Sequence, residues 1–161
     1  VVRHALRAIC EDKALDKVEN HLGQIKADGG KVLTGGSRHE LGGRFFQPTV
    51  TFGGKDELFR REETFGPMIP VFAFEDEAQV LEMANDSEFG LASYLFTRDL
   101  SRAIRVGRAI EAGMCGINTG IISTAVAPFG GVKSSGYGRE GSTHGIAEYV
   151  DIKQVTLNLR S

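Results

Sequence analysis

Cysteine is scarce in this 161-residue chain: only Cys10 and Cys115 occur, far apart and outside any paired motif. That excludes a disulfide framework or a Cys-pair metal site and makes reduced thiols the expectation. Charge of one sign is also lacking. The 19 basic and 21 acidic residues are interspersed and sum to -2, so there is no broad positive field to grip a phosphate backbone, and nucleic acid is not an expected partner. No apolar run approaches the roughly 20 residues that cross a bilayer, so no membrane partner is expected either. The opening Val1-Val2-Arg3-His4 lacks the basic-then-apolar order of a secretory signal, and a soluble, cytoplasmic protein is expected. His4, His21, His39 and His144 are scattered without the i, i+4 pairing of a helical metal site. Each reads as a surface residue, and no metal is expected. Internal repeats and low-complexity segments are absent.

Hydrophobic residues make up 41% of the chain, enough to build a core at this length, and one domain is the starting expectation. The 21 glycines are the compositional oddity, many of them in pairs such as Gly29-Gly30 and Gly130-Gly131 that mark turns. Over residues 11–28, Leu15, Val18, Leu22 and Ile25 recur at helical spacing, and Gly29-Gly30 ends the pattern. A short strand is predicted at Lys31-Val32-Leu33. Residues 45–52 are rich in aromatic and β-branched side chains and read as extended, with Pro48 pointing to an edge or an irregularity.

Between Met68 and Asn118 the pattern runs strand, helix, strand, helix, strand. Asp76 and Asp99 stand where N-caps belong, and Val80, Leu81 and Ala84, then Ala103, Ile104, Val106 and Ile110, mark the two helices. That order predicts an α/β fold with a parallel, Rossmann-like sheet. Beyond Asn118 a Gly-, Ser- and Pro-rich loop runs to about Gly141, with a short helix over residues 142–149. Loops at the carboxyl ends of parallel strands are where such folds bind ligands. The last stretch alternates polar and apolar through Val155, Leu157 and Leu159, as a half-buried strand does. Its apolar face needs a cover from another subunit or domain.

Several motifs invite a functional reading. Gly136-Tyr137-Gly138-Arg139-Glu140-Gly141 fits G-x-G-x-x-G, but Lys133-Ser134-Ser135 stands where an apolar strand should be, and no acidic residue can follow about 20 positions on. It reads as a structural loop. Gly131-Val132-Lys133-Ser134 lacks the glycine that a phosphate loop needs before its lysine. Cys115 falls in a predicted strand and reads as a small core residue. Asn85-Asp86-Ser87 matches a glycosylation acceptor and reads as a helix end. Glu62-Glu63-Thr64-Phe65-Gly66-Pro67 taken alone is a solvated turn. In a functional reading its carboxylate accepts from paired sugar hydroxyls while the ring flanks a planar heterocycle. In Pro128-Phe129-Gly130-Gly131, either a packed turn or a pocket wall made by Phe129 fits the residues.

Together, residues 62–67, Gly113-Met114-Cys115-Gly116-Ile117-Asn118 and the stretch 128–141 resemble, in order and spacing, the aldehyde dehydrogenase superfamily, in its C-terminal part. The segments Gly120-Ile121-Ile122-Ser123-Thr124 and 141–149 are most similar to the succinate-semialdehyde dehydrogenase branch. The resemblance implies a fold portion from residues 11–151, an unmatched stub at 1–10 and an oligomerisation strand at 152–161, with homo-oligomers formed through residues 155–159. It implies a family that oxidises aldehydes with NAD or NADP through a cysteine thioester. Glu63 would hold the nicotinamide ribose and Phe65 would sit against the nicotinamide end. Ser123 would bond the distal carboxylate of a semialdehyde and Phe129 would line the substrate tunnel. Arg139 would tie the loop to its neighbours.

The family's nucleophilic cysteine, general-base glutamate, oxyanion asparagine and most of its cofactor domain precede the matched region, and neither Cys10 nor Cys115 stands at the nucleophile's place. No catalytic residue is therefore expected in this chain, and alone it is expected neither to bind the cofactor nor to turn over an aldehyde. The choice between NAD and NADP would be made elsewhere. Two other functions stay open: a non-catalytic module docking on full-length family members, and a small nucleotide binder using the glycine loop.

Overall fold

The computed structural model describes residues 8 to 159, so His4 and the ends of the chain lie outside the described residues. Where the sequence suggests one domain, the described residues gather into two compact units, dividing between Asp86 and Ser87.

The first unit is organised by α1, Asp12–Ala27, whose Leu15, Val18, Leu22 and Ile25 all face the core as the spacing predicts. The helix closes where Gly30 N–H donates to Ile25 O at 2.8 Å. Gly30 is required there, because a Cβ would meet the Ile25 side chain at 2.6 Å and Gly53 O at 2.9 Å. Against this stripe pack Phe46 and Met68. Strands β1, Lys31–Thr34, β2, Thr49–Phe52, and β3, Met68–Val71, form a three-stranded sheet in that order. β1 and β2 run antiparallel with an irregularity between Val32 and Thr34; β2 and β3 run parallel, Thr49 against Met68 through Phe52 against Val71. Pro48 precedes the central strand rather than sitting within it, and Pro70 lies on the edge strand, where a missing N–H costs least. Thr49 and Thr51 are buried; the Thr49 hydroxyl accepts from Gly36 N at 2.8 Å and donates to Gln47 O at 2.8 Å. A one-turn helix, α2, Glu57–Arg61, was not evident in the sequence. In α3, Glu77–Asn85, the Asp76 carboxylate caps Gln79 N at 2.8 Å, and the helix ends at the Asn85-Asp86-Ser87 motif as expected.

The second unit holds β4, Phe89–Gly90, β5, Ala92–Leu95, α4, Leu100–Ala109, β6, Met114–Ile117, and β7, Val132–Lys133. β5 and β6 pair in parallel, joined by α4 as a crossover; Asp99 caps it through Arg102 N at 3.1 Å, and Ala103 and Val106 are buried. One step past β6, Asn118 N still donates to Leu95 O at 2.8 Å, and its side chain carries the pairing on to Thr97. Asn118, at φ +55°, accepts from Thr97 N and donates to Thr97 O, both at 2.8 Å.

Three expectations need correction. The strands from Met68 to Asn118 do not form one parallel, Rossmann-like sheet: β3 takes β2 as its parallel partner and β5 pairs with β6 alone, so the fold is mixed α/β. Strand order along the chain cannot foresee this, because the partner of β3 comes from upstream. Residues 150–159 form no strand. Val155, Leu157 and Leu159 alternate in sequence as expected but are 77%, 76% and 85% exposed, since alternation alone makes no strand without a neighbouring strand to pair with. The helix expected over residues 142–149 is a 3-10 turn at Gly145–Tyr149. Among the described residues no helix is long and apolar enough to cross a membrane.

Replacing Phe46, which is 1% exposed, by alanine should cost about 3–5 kcal/mol in urea unfolding. Asp99→Ala should cost about 1 kcal/mol through loss of the cap. An undiminished urea midpoint in Phe46→Ala would contradict the core assignment.

Candidate functional site

The turn after α2 is where the first unit displays chemistry. Glu62 takes an extended conformation, φ −136° and ψ 117°. Glu62 and Thr64 turn toward α1. The Glu62 carboxylate meets Lys17 Nζ at 3.1 Å through one oxygen and stands 3.4 Å from His21 Nε2 through the other. The Thr64 hydroxyl bonds His21 Nδ1 at 3.0 Å. Glu63 and Phe65, by contrast, are open to solvent. Glu63 is exposed, and its carboxylate makes no hydrogen bond or ion pair among the described residues; Phe65 is 82% exposed at φ +47°, a left-handed conformation costly for an aromatic residue. Gly66 completes the turn against α1, since a Cβ there would meet Val18 Cγ2 at 2.4 Å.

His21 is a correction. Read as a surface residue, it is 3% exposed, with Phe59 edge-on to its ring at 5.3 Å. The sign was in the sequence. Position 21 lies three residues after Val18 and four before Ile25, on the helix's buried stripe, but the residue type hid it. His39 is half-buried and His144 exposed. The Glu62 carboxyl is held below its ordinary range, first by the hydrogen bond from Lys17 and then by the His21 imidazole beside it.

In the second unit the sequence motifs occupy the loop that leaves β6. Ser123 is exposed and Phe129 half-buried. Phe129 pairs with Glu140 through two backbone hydrogen bonds of 2.8 and 2.7 Å. Arg139 donates to Gly131 O at 2.8 Å and Gly138 O at 2.6 Å, fastening the loop as a structural arginine would. Gly136, Gly138 and Gly141 all have positive φ, in keeping with a turn-forming run. Thus Glu63 and Phe65 stand together in one unit, Ser123 and Phe129 in the other. Cys115 is half-buried within β6 and Cys10 is exposed. Among the described residues, no group of three His, Cys, Asp or Glu is placed to hold a metal ion.

A free carboxylate beside a free ring suits a sugar diol attached to a planar base, and the comparisons with known proteins give that pairing its context. Residues 4–155 match the model of the aldehyde dehydrogenase family, and the chain belongs to that family. It is 53% identical over 150 residues to glutarate-semialdehyde dehydrogenase of Pseudomonas aeruginosa, covering 92% of this chain and 31% of that protein. It is likewise 53% identical over 152 residues to the NADP(+) succinate-semialdehyde dehydrogenase of Escherichia coli, covering 94% and 32%. The crystal structure of succinate-semialdehyde dehydrogenase from Burkholderia pseudomallei superposes with a TM-score of 0.87 at 53% identity, over 91% of this chain and 30% of that one. The chain thus spans about a third of the length of the relatives it matches. That share, rather than a position at their carboxyl end, is what the matches establish.

Because the folded Glu62 carboxyl titrates below its unfolded value, its contribution to stability is present above about pH 4.3 and is lost as pH falls through the lower, folded value. Glu62→Gln should therefore lower the urea midpoint at neutral pH and converge with the parent in acid. Curves that stay parallel from pH 7 to pH 3 would show that the carboxylate contacts contribute nothing.

Proposed function

We propose that this chain is a portion of an NAD(P)-dependent semialdehyde dehydrogenase, an oxidoreductase that converts a semialdehyde to the acid. The observation that carries this reading is the outward pair Glu63 and Phe65, set on a turn anchored to α1, in a chain half identical to succinate- and glutarate-semialdehyde dehydrogenases. NAD or NADP, when bound in the complete enzyme, supplies the hydride acceptor. Toward it Glu63 would offer two carboxylate oxygens as acceptors for vicinal ribose hydroxyls, and Phe65 an exposed ring face for the nicotinamide end. Ser123 would donate to the distal carboxylate of the semialdehyde, and Phe129 would form part of the apolar wall along its chain. The alternating apolar residues of the tail, Val155, Leu157 and Leu159, would complete a homo-oligomer by adding to a partner's sheet edge.

No catalytic residue is assigned within the chain. Covalent aldehyde oxidation needs a thiolate with a base at hand. Cys115 lies in a strand, Cys10 is exposed, and among the described residues neither has a hydrogen bond or ion pair to an activating side chain. The purified 161-residue chain, mixed with succinate semialdehyde and NADP+, should give no aldehyde-dependent absorbance at the reduced-cofactor wavelength, and steady NADPH formation would overturn this part of the reading. In an enzyme completed with the portion of the Escherichia coli relative that the chain does not span, Glu63→Ala should raise KM for NADP+ by roughly tenfold or more, as loss of a charged hydrogen-bond acceptor does. The exposed apolar tail also favours a second reading, a non-catalytic module that docks on full-length family members. Native mass of a mixture with an intact relative would reveal it as a mixed oligomer.

A further inference from the structure

The outward pair is only as well placed as the turn that bears it, and the turn is held from behind by a group the family reading leaves without a role. His21 is a polar side chain 3% exposed, enclosed by α1, Phe59 and the turn itself. Its Nδ1 bonds the Thr64 hydroxyl at 3.0 Å, and its Nε2 is buried 3.4 Å from Glu62, without hydrogen-bond geometry. The two residues that face the His21 ring nitrogens, Glu62 and Thr64, are the sequence neighbours on either side of Glu63. Fixing the side chains of 62 and 64 limits the backbone conformations open to the residue between them, and with it the directions Glu63 can take. Thr64 is the only buried residue between Glu62 and Gly66, and Phe65, next to it, is kept at φ +47°.

We propose that His21 is a positioning residue for the cofactor contact. By accepting the Thr64 hydroxyl proton at Nδ1 and presenting Nε2–H toward the Glu62 carboxylate, it fixes the direction of the Glu63 carboxylate and of the Phe65 ring. This rests on the reading of Glu63 as a ribose-binding group. The arrangement needs one tautomer. With the hydrogen on Nε2, Nδ1 is free to accept, and the N–H faces an anion rather than a lone pair facing one. A leucine of similar size would fill the space and lose both functions. An asparagine can keep the acceptor that meets Thr64. The charged groups around the imidazole are Glu62 across from it and Lys17 one turn earlier on α1, already joined to each other at 3.1 Å.

The test has two arms. In the 161-residue chain, imidazole nitrogen NMR should show His21 with its proton on Nε2 and a bare Nδ1, and Thr64→Val should abolish that preference while shifting the Glu63 and Phe65 amides. Thr64→Ser and His21→Asn should restore those amides toward the parent positions, and His21→Leu should not. Amides at 63 and 65 unmoved in both Thr64→Val and His21→Leu overturn the proposal. In the completed enzyme described above, Thr64→Val should raise KM for NADP+ at least roughly threefold with kcat within about twofold, and Thr64→Ser should reverse it. A raised KM in Glu63→Ala with an unchanged KM in Thr64→Val overturns the role of His21 alone. An unchanged KM in Glu63→Ala overturns the ribose reading beneath it.

Discussion

Helix α1 is the constraint on which the first unit depends, because a single face of it performs two jobs. Leu15, Val18, Leu22 and Ile25 bury against Phe46 and Met68 and so fix the helix on the sheet. On the edge of the same stripe, Lys17 and His21 reach the turn at Glu62 and Thr64. Apolar packing is nondirectional and alone would leave the turn free to rotate. The polar contacts supply the direction, and Gly66 lets the backbone come close enough to α1 for them to form. A second polar clasp, in which Glu19 accepts two hydrogen bonds from Arg38 at 2.7 and 2.8 Å, ties the far side of the helix to the chain beyond β1; that hydrogen bond holds the Glu19 carboxyl below its ordinary range.

What could be read from the sequence was what is local. The ends of α1, the caps Asp76 and Asp99, and the strands around Tyr94 and Cys115 each follow from a few neighbouring residues, and they stand where the periodicity puts them. Pairing was not legible. Nothing within residues 68–71 says that their parallel partner lies at 49–52, nineteen positions upstream, rather than ahead at 92–95. The tail failed for a related reason: alternation describes a surface fit to become a strand, whereas a strand exists only once a neighbour accepts its hydrogen bonds.

Glu63 and Phe65 stand out in the sequence as residue types in a motif, and both are exposed, with no hydrogen bond or ion pair to the Glu63 carboxylate among the described residues. His21 was missed because histidine is sorted by chemistry before it is sorted by position. Read by position, His21 falls on the stripe with Val18 and Ile25, and a buried imidazole requires a hydrogen-bonding partner somewhere in the chain. Thr64 is 43 residues away, so that demand could be stated from the sequence but its answer could not.

The amide side chain of Asn118 stands in for a missing rung of backbone at the point where the loop bearing Ser123 departs. Both halves of the amide are used, one receiving and one giving. Hydrolysis of that amide to aspartate, the slow chemical ageing open to any asparagine, would keep the receiving oxygen and set a negative charge against the Thr97 carbonyl in place of a donor. The root of the loop would then come loose with its sheet intact, so an old sample of this protein would lose the order of the loop that leaves β6 before it lost its fold.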